Sequence, residues 1–400
     1  MKRFSSIFSQ LLQLFPRLEF EQAVKKHQAE RGAKGFTSWG QFVAMLFCQL
    51  GRAHSLREIC GGLASCEGKL KHLGVPEAPK KSTLAYANEN RPWELYQTVF
   101  GQVLGKCQSV VIESGYKKKF RFKNKLTSLD SSTIDLCVSL FDWAQFRRTK
   151  GAVKLHLLLD HDGYLPSYAV ITDGKKSDIK VAPTMKFAPG TVLVMDRGYN
   201  DYDWFAELTD QGVFYVTRMK DNAVYDVVEK RKTPEKSNVR RDEVIFFPSM
   251  AAKGKEYFFR RIEVWDEAKQ RTIVFLSNHL EFGATTIAAV YKDRWKVELF
   301  FKAIKQNLKI KTFLGTSANA VQTQIWTALI AMLVLRYLQL KSTFGWSLSN
   351  LVALLRHQLF VYRDLDAWLN SPFEAPPVLE GIHDAQLVLN LPSSIGQQMI

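Results

Sequence analysis

Five consecutive residues, Thr191-Val192-Leu193-Val194-Met195, form an almost unbroken apolar run that stops at Asp196. A β-branched run with no polar alternate suits a strand buried on both faces, which requires helical layers above and below it. Strands are also expected at Leu126–Leu129, leading to Asp130, at Val153–Leu159, at Tyr164–Ile171 and at Val213–Thr217. Between the last two lies a helix from Asp201 to Gln211 that ends at Gly212. His161-Asp162-Gly163 reads as a hairpin turn, Asp-Gly supplying the positive φ angles. This alternation specifies a mixed α/β core.

The flanks have a different texture. Residues 1–116 read as a helical N-terminal DNA-binding domain. Ser38 to Leu46 begins at a plausible cap, and Ser55-Leu56-Arg57-Glu58 is a capping box. A turn at Gly74-Val75-Pro76, the pair Lys80-Lys81 and a short helix from Ser82 to Arg91 follow. That order fits a helix-turn-helix reader of DNA or an ordinary helical bundle. Residues 117–217 form the first part of the α/β core, and 218–280 a β-rich insertion. The insertion has strands near Tyr225–Val228, Val244–Phe247, Tyr257–Val264 and Thr272–Leu276, and a basic loop from Lys230 to Arg241. Residues 281–315 return to the core as one long helix, about Thr285 to Asn307. Residues 316–400 read as a helical C-terminal region to about Leu369, with a Pro-punctuated irregular tail after Ser371.

Charge narrows the partner. Lys plus Arg number 55 and Asp plus Glu 39, a net +16 in 400 residues, which calls for a polyanion: nucleic acid or an anionic membrane. The apolar run Ile325–Leu335 meets Arg336 well short of the roughly 18 residues a span needs, so no membrane partner is expected. The start of the chain shows no sustained apolar stretch before Gln10, and the five cysteines lack Cys-x-x-Cys pairs. Both fit a reduced, cytoplasmic protein without a zinc site. Lys117, Lys118 and Lys119 open a run to Lys125 with aromatics interleaved, which suits tracking a phosphate backbone or defending an edge strand.

The long helix carries the chemistry. With Tyr291 set at zero, Arg294, Glu298 and Lys305 fall at about 300°, 340° and 320°, a single stripe beside an apolar face of Val297, Phe300, Phe301, Ile304 and Leu308. Such a stripe is an ion-pair ladder or one wall of a cleft. Asp130 and Asp196, each ending a core strand, favour the cleft: side by side and parallel, those strands would project both carboxylates beyond their carboxyl ends. Three carboxylates suit two hard divalent ions, the arrangement that cleaves phosphodiesters.

Asp130-Ser131-Ser132-Thr133, Asp196-Arg197-Gly198-Tyr199 and Tyr291-x2-Arg294-x3-Glu298-x6-Lys305 resemble the three signatures of DDE transposases of bacterial insertion sequences, in particular the insertion-sequence-four group. The resemblance covers about Lys125 to Gly315. It implies an RNase H-like catalytic core interrupted by the β-rich insertion, and cut-and-paste transposition of double-stranded DNA from terminal inverted repeats into a target. It further implies two Mg²⁺ ions, replaceable by Mn²⁺, and a homodimer in the synaptic complex. Asp130, Asp196 and Glu298 would be the catalytic, metal-binding triad. Tyr291, Arg294 and Lys305 would contact phosphates, and Trp265 would stack on a flipped base or else be a core residue of the sheet. His156 and Asp178 receive no catalytic role. A metal-dependent nuclease without strand transfer and a non-catalytic DNA-binding derivative are the rival readings.

Overall fold

In the computed structural model, residues 5–66, 68–137, 139–147 and 150–374 are described. The tail expected to be irregular lies outside them from residue 375 on, as do residues 1–4.

Among the described residues, six α-helices precede the sheet: α1 (Ile7–Leu12), α2 (Arg17–Lys26), α3 (Ser38–Leu50), α4 (Leu56–Ala64), α5 (Lys81–Asn90) and α6 (Glu94–Glu113). Thr37 caps α3 and Ser55 caps α4, each side chain accepting from a backbone N–H three residues on. Glu58 closes its box on the N–H of His54, one residue before the cap. The helix-turn-helix expectation does not survive. Residues 65–80, with a 3₁₀ turn at Leu70–Leu73, separate α4 from α5, whereas that motif needs a turn of only three or four residues.

Among the described residues, ten strands make one sheet: β1 (Leu126–Leu136), β2 (Gln145–Arg147), β3 (Lys150–Asp160), β4 (Leu165–Asp173), β5 (Val192–Met195), β6 (Phe214–Arg218), β7 (Asp226–Lys230), β8 (Val239–Phe246), β9 (Phe259–Asp266) and β10 (Arg271–Ser277). Within it β4-β3-β1-β5-β6 are neighbours; β4, β3 and β1 run antiparallel, and β1, β5 and β6 parallel. That is the strand order of an RNase H-like core. The insertion adds no second β layer: β10 pairs with β6, and β9, β8 and β7 follow outward. Its basic loop is shorter than expected, because Lys230 closes β7 and β8 already starts at Val239.

Two further expectations change. β1 continues past Asp130 to Leu136, held by its long antiparallel pairing with β3. In the β3–β4 hairpin the positive φ angles belong to Gly163 and Tyr164, not to Asp162.

Helices cover both faces. α7 (Asp178–Val181), α8 (Tyr202–Asp210) and the short α9 (Pro248–Ala251) pack with Leu129, Leu193, Met195 and Tyr215 on one side. On the other, α10 (Ala284–Asp293) covers Leu126, Val192, Val194 and Val216. α11 (Trp295–Asn307), α12 (Ala318–Lys341), α13 (Leu348–Gln358) and α14 (Leu365–Asn370) share one core with the N-terminal helices and the β1–β3 end of the sheet. α12 is the one described helix long and apolar enough to cross a membrane, and it is buried all round as the central rod of that core.

Candidate functional site

Register and alternation place two of the acids. β1 and β5 run parallel, with Leu129 opposite Met195, so Asp130 and Asp196 are the next residues beyond the shared ladder. Successive side chains alternate between faces. Leu126 and Ser128 precede Asp130, and Val192 and Val194 precede Asp196, on the face that α10 and α11 cover. The third acid arrives from α11, whose buried residues Val297, Phe300, Phe301 and Ile304 dock it on β1 as the apolar stripe required. Asp130, Ser131, Ser132, Asp196, Arg294, Glu298, Phe301, Lys302 and Lys305 line one open cleft of about 450 Å³.

The expected single helix is broken at Arg294. The N–H of Arg294 reaches the carbonyl of Tyr291, and that of Val297 the carbonyl of Arg294, the tighter three-residue spacing. Asp293, one residue earlier, is drawn into a buried polar cluster, and the junction forms there. Despite the break, Arg294 and Glu298 remain on the cleft side: Arg294 donates to Asp130 Oδ2 at 3.3 Å and to Glu298 Oε1 at 2.5 Å. Lys305 donates to the Thr133 carbonyl at 2.8 Å, which ties the end of α11 to β1, and burial lowers its pKa.

Burial pushes Asp130 up to about 6; Arg294 and the Ser131 N–H oppose that, and the nearby Asp196 and Glu298 reinforce it. Asp196 caps the turn that follows it, its Oδ1 accepting from the Gly198 N–H at 2.8 Å. A Cβ on Gly198 would stand 2.9 Å from that same oxygen, which explains why the turn holds glycine.

The other expected residues scatter. Tyr291 does not line the cleft; its ring packs on Phe275 at 4.9 Å and lies under Arg294. Trp265 sits on β9, part-exposed, with the Arg240 guanidinium 4.2 Å from its ring centre. Lys117, Lys118 and Lys119 are exposed, in an irregular segment and not an edge strand, with Phe120 and Phe122 tucked inward. Lys118 pairs with Asp162 at 2.7 Å, and Lys119 with Asp293 at 2.6 Å. His156 is buried, bonded to Thr172, and lowered to about 4 by burial although Asp178 opposes this.

Sequence reasoning passed over Trp295, which is 56% exposed although it follows Arg294 directly, and Lys302 on the cleft wall. It also passed over Asp293, His161 and Ser128, which are buried and linked by hydrogen bonds. The exposed tryptophan had a signal, an aromatic on the polar side of an amphipathic helix. The linked trio had none, because its members are 132 and 33 residues apart in sequence.

Oxygen donors from three carboxylates fit a hard divalent ion. Among the described residues, no three Asp, Glu, His or Cys side chains are drawn together tightly enough to grip an ion as they stand. The acids instead share the cleft with Arg294, which bridges Asp130 and Glu298.

Residues 121–334 match the family described as the transposase DDE domain, and residues 3–76 match a domain family of unknown function, DUF4372. A Sinorhizobium fredii protein named as a transposase, y4zB, is 30% identical over 82% of this chain and 89% of its own length. A Geobacillus stearothermophilus protein named as the transposase of insertion sequence element IS5377 is 29% identical over 67% of this chain and 70% of its own. The solved piggyBac transposase synaptic complex with hairpin DNA aligns at a TM-score of 0.43 and 9% identity, over 95% of this chain and 84% of that one.

Proposed function

The chain belongs to the transposase DDE-domain family and is a DNA transposase, and from that premise we propose that Asp130, Asp196 and Glu298 are the acids that hold its divalent metal. The observation that carries this is the pairing of Leu129 with Met195 in the parallel ladder, which leaves Asp130 and Asp196 as neighbours at the ends of those strands in the cleft that Glu298 also lines. The family uses divalent metal, and here the acids would hold two Mg²⁺ ions, for which Mn²⁺ can substitute. When bound, such ions activate a water or 3′-hydroxyl and stabilise the leaving oxygen.

The chain's own groups set up that chemistry. Asp130, raised to about 6, must be ionised to serve as a ligand, and Arg294 favours the ionised form. Arg294 and Lys302 bring positive charge to the cleft that a scissile phosphate enters, and Lys305 braces α11 against β1 from the same wall. Exposed Trp295 stands beside Arg294 where an unstacked base can lie on it, and Trp265 with Arg240 offers a second stacking platform. Lys117 and Lys118 contact backbone phosphates outside the cleft. The enzyme cuts at the ends of its element and joins the freed 3′-hydroxyls to target DNA, working in the cytoplasm as a homodimer that synapses two ends.

The test is a plasmid bearing the two inverted repeats that flank the gene. Incubation with Mg²⁺ is expected to release the element and give joined products; cleavage without joining would favour the nuclease reading.

A further inference from the structure

The buried cluster around Asp293 lies outside the cleft and has no part in the chemistry described above. Asp293 is 2% exposed, yet it is ionised, because donors surround it. Burial by itself would raise its pKa; hydrogen bonds from His161 and Lys119 outweigh that and hold it at about 2. His161 Nδ1 lies 2.7 Å from Asp293 Oδ2, Tyr164 Oη donates to the same oxygen at 3.1 Å, and Lys119 Nζ donates to Oδ1 at 2.6 Å. On its far side, His161 Nε2 lies 2.7 Å from Ser128 Oγ. With Asp293 ionised, the Nδ1–H tautomer donates to it and leaves Nε2 to accept from the serine hydroxyl.

Ser-His-Asp in this order is the geometry of a hydrolase nucleophile. It cannot act as one here, because Ser128 is fully buried and no substrate carbonyl can approach it. The chain positions of its ends point elsewhere. Ser128 is two residues before Asp130 on β1, facing the same side of the sheet, and Asp293 immediately precedes Arg294 where α10 breaks into α11. The cluster therefore bolts the strand that carries one acid to the junction that aims Arg294 and Glu298.

We propose that Ser128, His161 and Asp293 are positioning residues, a bracket that fixes Glu298 and Arg294 relative to Asp130, with Lys119 as its solvent-facing end in the basic segment. The inference rests on the assignment of Asp130 and Glu298 as metal ligands. A buried carboxylate with three donors is a rigid anchor, whereas an unpaired one is strongly unfavourable, so loss of any partner loosens the junction. Supporting groups of this kind change metal affinity or activity by about 10- to 100-fold when removed from behind metal ligands.

The experiment uses the full-length protein, a duplex carrying the element end, and Mn²⁺ as the metal probe. Mn²⁺ affinity is read directly by electron paramagnetic resonance, and single-turnover cleavage is followed against Mn²⁺ at saturating DNA. Asp293→Asn and His161→Ala are expected to raise the half-saturating Mn²⁺ concentration about 10-fold or more, with DNA affinity within about twofold of the parent. Ser128→Ala, a small change that spares the fold, is expected to shift it in the same direction by less. Lys119→Ala is expected to shift it too, and Lys119→Arg to restore it. Parental Mn²⁺ curves for Ser128→Ala and Lys119→Ala overturn the bracket, even if Asp293→Asn fails to fold. Glu298→Ala separates the two claims. If it retains metal-dependent cleavage, the ligand assignment itself falls; if it is inactive while the four bracket variants behave as the parent, only the bracket falls.

Discussion

The Arg294 guanidinium lies 3.3 Å from the Asp130 carboxylate, and with the Ser131 N–H it opposes the burial that raises Asp130. Cleavage at sub-saturating metal is therefore expected to fall as pH drops through about 6, where a proton competes with the ion for Asp130. Arg294→Ala removes a group that lowers that pKa, so the acid limb should move to higher pH while bulk DNA affinity, spread over a net charge of +16, changes little. Single-turnover rates between pH 5 and 8 check the shift; a limb that stays in place would separate Arg294 from Asp130.

The same carboxylate has a stability consequence of opposite sign. A folded-state pKa of about 6 against 3.8 means that the folded chain binds more protons between those values, so this group's contribution to stability is lost as pH rises through that window. Asp130→Asn, which never ionises, is expected to be inactive yet to melt higher than the parent at pH 7, with the gap closing near pH 4. Calorimetry at the two pH values decides; an equal offset at both would remove titration as the cause.

Gly198 is the second lever. Its added methyl would meet Asp196 Oδ1 at 2.9 Å, so Gly198→Ala is expected to displace the carboxylate and slow cleavage roughly 10- to 100-fold without loss of fold. Parental activity in this variant would mean that the position of Asp196 is not critical.

How much of this could be read from the chain alone follows from the range of each interaction. The buried strand that ends at Asp196 announced itself through its apolar run, and the docking face of α11 through a period of 3.6 residues, because both are local patterns. The break at Arg294 was invisible for the opposite reason. The side chain of Asp293, the last residue of α10, meets His161 and Lys119, partners 132 and 174 residues away, and no local signal encodes them. The helix-turn-helix reading failed on a similar point: Gly74-Val75-Pro76 looked like the whole turn, but it is only one part of a longer connection that also includes the 3₁₀ turn at Leu70–Leu73 and runs on to Lys81.

The aromatics can be ranked. Trp295 is 56% exposed beside Arg294, while Trp265 carries Arg240 on its ring. Trp295→Ala is expected to slow processing of bound ends by the equivalent of about 1–3 kcal/mol, more than Trp265→Ala. A fluorescent base analogue at the cleavage site reads the stacking; equal signals from both variants would refute the ranking.

Lys117→Ala and Lys118→Ala should each reduce the slope of log affinity against log salt by about one, with the cleavage rate of bound DNA unchanged. An unaltered slope would mark the segment as solvated surface.

The assignment of the three acids faces its most direct test in Mn²⁺ binding by the DNA-free protein, measured by electron paramagnetic resonance for the parent and for Asp130→Ala, Asp196→Ala and Glu298→Ala. Each substitution is expected to weaken binding and to abolish cleavage while the fold is kept. Parental Mn²⁺ affinity and cleavage in any one of the three would contradict it.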